Sequence, residues 1–103
     1  MFVVHFASLR VDGMALFPFI LVQKPNPGPV LINHERIHLR QQLELGILPF
    51  YIWYGIEYLI RWFQHRDHYT AYRRISFERE AFANDQELTY LKHRPLWQFW
   101  QYL

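Results

Sequence analysis

Apolar, β-branched and aromatic residues run from Phe2 to Leu9 and again from Met14 to Val22, parted by Arg10-Val11-Asp12-Gly13. An Asp-Gly pair between two such runs is a hairpin turn signal, so the pattern predicts an N-terminal β-hairpin. Pro18 has no N–H for a ladder, which places the second strand at a sheet edge, where a peptide can pair. Gln23 to Pro29 holds three prolines and a glycine and reads as a connector. From Val30 or Leu31 to about Leu45 there is neither Pro nor Gly, and the spacing predicts a first helix that Gly46 and Pro49 bring to an end. Leu48 to Phe63 predicts a second helix, apolar nearly all round, with Glu57 and Arg61 spaced to pair. His65-Arg66-Asp67-His68 is a polar break. Ser76 suits the N-cap of a third helix that extends to about Leu91, with Phe77, Ala81, Leu88 and Leu91 as its buried stripe. His93-Arg94-Pro95 closes it, and the aromatic tail Leu96 to Leu103 is expected to pack on the core. The architecture expected is one small α+β domain over residues 1–103, a hairpin packed on three helices.

Composition narrows the classes of function. At 103 residues there is room for a single core, and 51% hydrophobic with 19% aromatic residues is enough to drive folding. A formal charge of +2 gives no reason to expect a nucleic-acid partner. No cysteine is present, so disulfides, thiolate metal sites and thiol nucleophiles are excluded, and any metal must be held by imidazoles and carboxylates. The start, Met1 to Phe6, has neither the basic stretch nor the small-residue cleavage site of a secretory leader, and the cytoplasm is the expected compartment. The apolar second helix carries Pro49, Glu57 and Arg61, which argues against an uninterrupted span and leaves open association with a membrane surface or a second copy of the chain.

The chemistry lies in His34-Glu35-Arg36-Ile37-His38, an HExxH segment inside the first predicted helix. Two histidines four apart project from one helix face about a turn apart, which suits two imidazoles to one small cation. Zn2+ takes nitrogen and oxygen ligands in tetrahedral geometry, and a catalytic site keeps one position for a water that the ion acidifies. Glu35 is rotated from the histidine pair by one residue, faces that open position, and is expected to act as the base.

His34 to Gln42 resembles the active helix of gluzincin-type zinc metallopeptidases, in which a glutamate from a second helix completes the metal site. The segment Phe77-Glu78-Arg79-Glu80-Ala81-Phe82-Ala83-Asn84-Asp85 is similar to their glutamate helix, often written ExxAD or ExxAN. The two segments cover under a fifth of the chain. The resemblance implies a metallopeptidase, a hydrolase acting on a peptide or protein substrate. It also implies a third ligand, in one of two registers. Glu80 fits ExxAN with Asn84 one turn on, where an amide can hydrogen-bond a metal-bound histidine. Glu78 fits the other register, with Phe82 at that second position. Glu80 is the expected ligand, on the side of the helix shared with Asn84. Tyr72, just before the glutamate helix, is the expected donor to a developing oxyanion, since its phenol can donate while its ring packs. In the expected reaction zinc polarises the carbonyl, and Glu35 takes a proton from water and returns it to the leaving amine. A different class of reading is a zinc-stabilised interaction or membrane-associated protein that keeps the ligands without catalysis.

Overall fold

A computed structural model describes residues 2–103. Three short strands, β1 (Phe2–His5), β2 (Gly13–Leu16) and β3 (Phe19–Val22), precede four helices, α1 (Pro29–Leu45), α2 (Ile47–His65), α3 (His68–Arg74) and α4 (Ser76–Asn84). Two single-turn 3₁₀ segments, Tyr90–Lys92 and Gln98–Tyr102, close the chain. The α+β class is as the sequence implies.

The expected hairpin is not formed as drawn. The second apolar run divides at Pro18 into β2 and β3, which pair antiparallel, while β1 pairs parallel with β3 to give the order β1-β3-β2. Burial explains the choice. Ile20 and Val22 of β3 are fully buried against α1 and β1 is exposed throughout, so the strand with most to bury takes the centre. Pro18 sits in the tight β2–β3 turn, where its missing N–H costs no ladder bond. β1 and β2 are the two edge strands. The Gln23 N–H donates to the Asp12 carbonyl at 3.0 Å, which sets the phase of the ladder and turns the backbone groups of Gly13 and Ala15 outward.

Helix α1 lies at the centre, with the sheet on one side and α4 on another. Pro29 opens it at the first helical position, and Gly46 ends it with φ of +89°, a conformation that disfavours a side chain. The chain then turns through 111° into α2. Ala15, Ile20, Val22 and Leu39 form the packing between sheet and α1. Phe50, Ile75, Phe77 and Phe99 form a second cluster that seats the C-terminal turn on α2 and α4, each ring contributing about 1.5–3 kcal/mol of burial.

Four helices stand where three were expected. The additional one, α3, begins inside the polar break, where the Asp67 carboxylate accepts from the Thr70 N–H at 2.8 Å. The last main helix is shorter than its periodicity suggests. It ends at Asn84 because the Asn33 amide donates to the carbonyls of Asp85 at 2.8 Å and Glu87 at 3.0 Å and draws that segment onto α1.

Candidate metal centre

Six of the eight buried positions on α1 are polar: Asn33, His34, Glu35, His38, Gln41 and Gln42. Each buried polar group without a partner would cost about 1–3 kcal/mol, so their partners decide what the helix is for. The Gln41 amide nitrogen donates to the Phe77 carbonyl at 3.2 Å and to Glu80 Oε1 at 3.0 Å. Its oxygen therefore faces His38 Nδ1 at 2.7 Å as an acceptor, and that nitrogen must carry the proton. His34 Nδ1 lies 3.0 Å from Asp85 Oδ2, again an acceptor, so it too carries the proton. In both neutral rings the Nε2 lone pair is left free.

Those two lone pairs and one carboxylate oxygen point at the same spot. His34 Nε2 and His38 Nε2 are 3.2 Å apart, and each lies 3.0 Å from Glu78 Oε1. Three acceptors at such spacing repel unless something positive sits among them. A zinc ion with arms of about 2.0–2.1 Å holds tetrahedral ligand atoms about 3.3 Å apart, so these residues fit the ion with shifts of a few tenths of an ångström. Without a metal a proton must serve. Burial alone would lower the His38 pKa, but the Glu78 carboxylate overrides it and lifts the ring to about 9. Burial pushes Glu78 upward while His38 and His34 hold it well below the usual carboxylate range.

Among the described residues this is the one set of His and carboxylate groups that can hold a metal ion, and it spans α1 and α4. His34 and His38 are brought together as the spacing predicts, but Glu80 does not join them. The Glu80 carboxylate is fully buried in an ion pair with Arg94, accepts from Tyr90 at 2.8 Å and from Gln41, and has no free lone pair to aim at the histidines. Arg94, fourteen residues on, chooses the register by supplying the counter-charge. Glu78 takes the place near the imidazoles. Asn84 follows Glu80 away, donating to the Glu80 carbonyl at 2.8 Å and to the Tyr102 hydroxyl at 3.1 Å. The orienting partner of His34 is instead Asp85, seven residues after Glu78 and so two helical turns along the same side.

Glu35 lies beside the triad beneath the free edge of β2. A Cβ added at Gly13 would come within 3.2 Å of its Oε2, so the carboxylate packs closely under the edge strand and would have to give by a few tenths of an ångström to a larger residue there. No described residue donates a hydrogen bond to Glu35, and burial raises its pKa, which makes it a better proton acceptor than a surface carboxylate.

A cleft of about 790 Å³ opens over these groups between β2, α1, α2 and α3, lined mainly by apolar and aromatic side chains. Tyr72 lines it, with burial and Glu78 both keeping its phenol protonated. Tyr54, which sequence reasoning passed over, donates to Glu78 Oε2 at 2.6 Å. Gln42 was missed as well. Its amide nitrogen donates to the Ala15 carbonyl at 2.9 Å, its oxygen accepts from the Phe17 N–H at 2.8 Å, and Tyr51 donates to the same Ala15 carbonyl. The helix that carries the two histidines thus grips the edge strand directly. Gln42 sits one turn after His38 on an HExxHxxxQ spacing, which is the signal that could have drawn attention to it.

No known protein family, curated protein or solved structure is matched by this chain.

Proposed function

We propose that this chain is a zinc-dependent hydrolase that cleaves peptide bonds, with His34, His38 and Glu78 as the metal ligands. The observation that carries the reading is the meeting of two free imidazole lone pairs and a carboxylate oxygen at one point, beside an unpaired carboxylate at the floor of an open cleft. A bound zinc ion supplies an acidified water and a polarised carbonyl. Glu35 takes the proton of the attacking water and passes it to the departing amine. The Tyr72 phenol donates to the oxygen on which charge develops, while Tyr54 is occupied in holding Glu78. Glu35 is what favours catalysis over a purely structural metal, since a structural site needs no unpaired carboxylate facing open space.

The outward backbone groups at Gly13 and the Ala15 N–H offer an extended peptide a strand to pair with, directly above Glu35. The apolar and aromatic lining favours substrates with large apolar side chains next to the cleaved bond. Metal analysis of the purified protein together with a peptide-library cleavage assay tests this. Stoichiometric zinc and cleavage are expected, with Glu35→Gln keeping its zinc while turnover falls by about 10²- to 10⁴-fold. An unchanged rate in that variant removes Glu35 from the reaction.

A further inference from the structure

The strand edge that borders the cleft is open over part of its length and shut over the rest. The phase of the ladder turns the backbone groups of Gly13 and Ala15 away from β3, and no described residue pairs with the Gly13 N–H, the Gly13 carbonyl or the Ala15 N–H. The Ala15 carbonyl is different. A carbonyl oxygen accepts through two lone pairs, and both are taken here, one by the Gln42 amide at 2.9 Å and one by the Tyr51 hydroxyl. The Phe17 N–H, next along, donates to Gln42 Oε1 at 2.8 Å. Gln42 reaches the strand from α1 and Tyr51 from α2, so side chains of two helices meet across the end of the edge. Tyr51 is backed by Phe50 and Tyr54, with ring centroids 5.0 Å and 6.4 Å away, which makes this end an aromatic wall.

Glu35 fixes where the chemistry falls relative to that wall. Its carboxylate lies under Gly13, two residues before Ala15, and a strand advances about 3.3 Å per residue, so the blocked carbonyl is only about 7 Å further on. A peptide on this edge can continue past Gly13 toward Arg10 and Val11, which line the cleft there. In the other direction it has room for about two residues. The groups left free set its polarity. In antiparallel pairing, the more stable kind, one substrate residue exchanges both bonds with Gly13, and the residue two positions nearer the substrate's N-terminus lies opposite Ala15. That residue accepts from the Ala15 N–H, but its own nitrogen finds the Ala15 carbonyl occupied. The Tyr51 oxygen stands beside that carbonyl and, having given its hydrogen away, has a lone pair to offer. A chain that ends there in an ammonium is satisfied, and one that continues collides with the ring. A C-terminal carboxylate would set acceptors against acceptors, since among the described residues the only Lys or Arg lining the cleft is Arg10, beyond Gly13.

We infer that this protein is an exopeptidase that seats the free N-terminus of its substrate against Tyr51 and releases about two or three residues at a time. The inference rests on the hydrolase reading and narrows it to one substrate class. The oxygen of water joins the acyl carbon of the short fragment, and the departing amine becomes the N-terminus of the shortened chain.

Mass spectrometry of the products made by the zinc-loaded protein tests this, with one peptide presented free, N-acetylated, C-amidated, and lengthened by a residue at its N-terminus. In the lengthened peptide the cut should stay at the same count from the N-terminus. Acetylation should lower kcat/KM by about tenfold or more through loss of a charged donor, and amidation should leave it unchanged. Tyr51→Ala, its fold checked by circular dichroism, should cut the acetylated peptide at internal bonds. A cut that stays with the sequence, an acetylated peptide cleaved as fast as the free one, or a rate that falls on amidation would each overturn the exopeptidase and leave the hydrolase standing. A folded Tyr51→Ala protein that keeps the N-terminal count would overturn the wall. No cleavage of any of the four peptides would overturn the hydrolase and this inference with it.

Discussion

Helices α1 and α2 are joined at Gly46 and have comparable lengths, yet they invert the usual division of polarity. The polar helix is the one inside: six of the eight buried positions on α1 carry polar side chains. The apolar helix is the one outside: of the nineteen residues of α2, only Phe50 and Glu57 are fully buried. The hydrophobic effect alone would exchange them. Their arrangement shows that α1 is central because its polar groups find partners there and nowhere else, through Gln41, Asp85 and Glu78. Helix α2 holds to the domain through Phe50, Tyr51, Trp53, Tyr54 and Tyr58, and its opposite face is left exposed.

The contrast makes graded predictions. The largest effect is expected at the metal. Glu78→Gln should abolish stoichiometric zinc while Glu80→Gln retains it, as read by metal analysis, and the opposite result would return the ligand to Glu80. Glu80→Gln should act on stability instead, lowering the unfolding free energy by about 1.5–3 kcal/mol, because Arg94 loses its two-pronged partner and keeps only Glu44. Asp85→Ala should weaken zinc affinity by about 10- to 100-fold through a loosened His34, with Asn84→Ala close to wild type in the same titration. Gln41→Leu removes the acceptor for His38 and the donor to the Phe77 carbonyl, and should cost about 1–3 kcal/mol in denaturant unfolding. The smallest effect belongs to the outer helix, where Ile56→Ser should change stability by no more than about 0.5 kcal/mol. A large loss there would mean that the face is packed in solution.

Local signals carried the helices and non-local ones decided the site. The first two helices fall where Pro, Gly and periodicity place them, because those constraints act within a turn or two. The sheet order was not legible. Asp12-Gly13 is a hairpin signal in isolation, but β3 has the most apolar surface to bury and takes a neighbour on each side. The choice between Glu78 and Glu80 was equally hidden, since it depends on Arg94, a residue that sequence reasoning used only as a helix stop. Asp85 escaped notice because it lies just beyond the end of α4, held by Asn33 from a helix fifty residues earlier. Helix α3 had a readable cap in Asp67 and Thr70, obscured by the charged residues around it.

Glu57 and Tyr54 of α2 bind the first turn of α4 through three hydrogen bonds. The Glu57 carboxylate accepts from the Ser76 N–H at 3.0 Å and from the Ser76 hydroxyl, and Tyr54 donates to Glu78 itself. The residue between them, Phe77, is wedged against Phe50, with ring centroids 4.5 Å apart. In mechanical terms these contacts make a strut with one end on the outer helix and the other on Glu78. A rotation of α2 about its own axis would pull on Ser76 and Glu78 together.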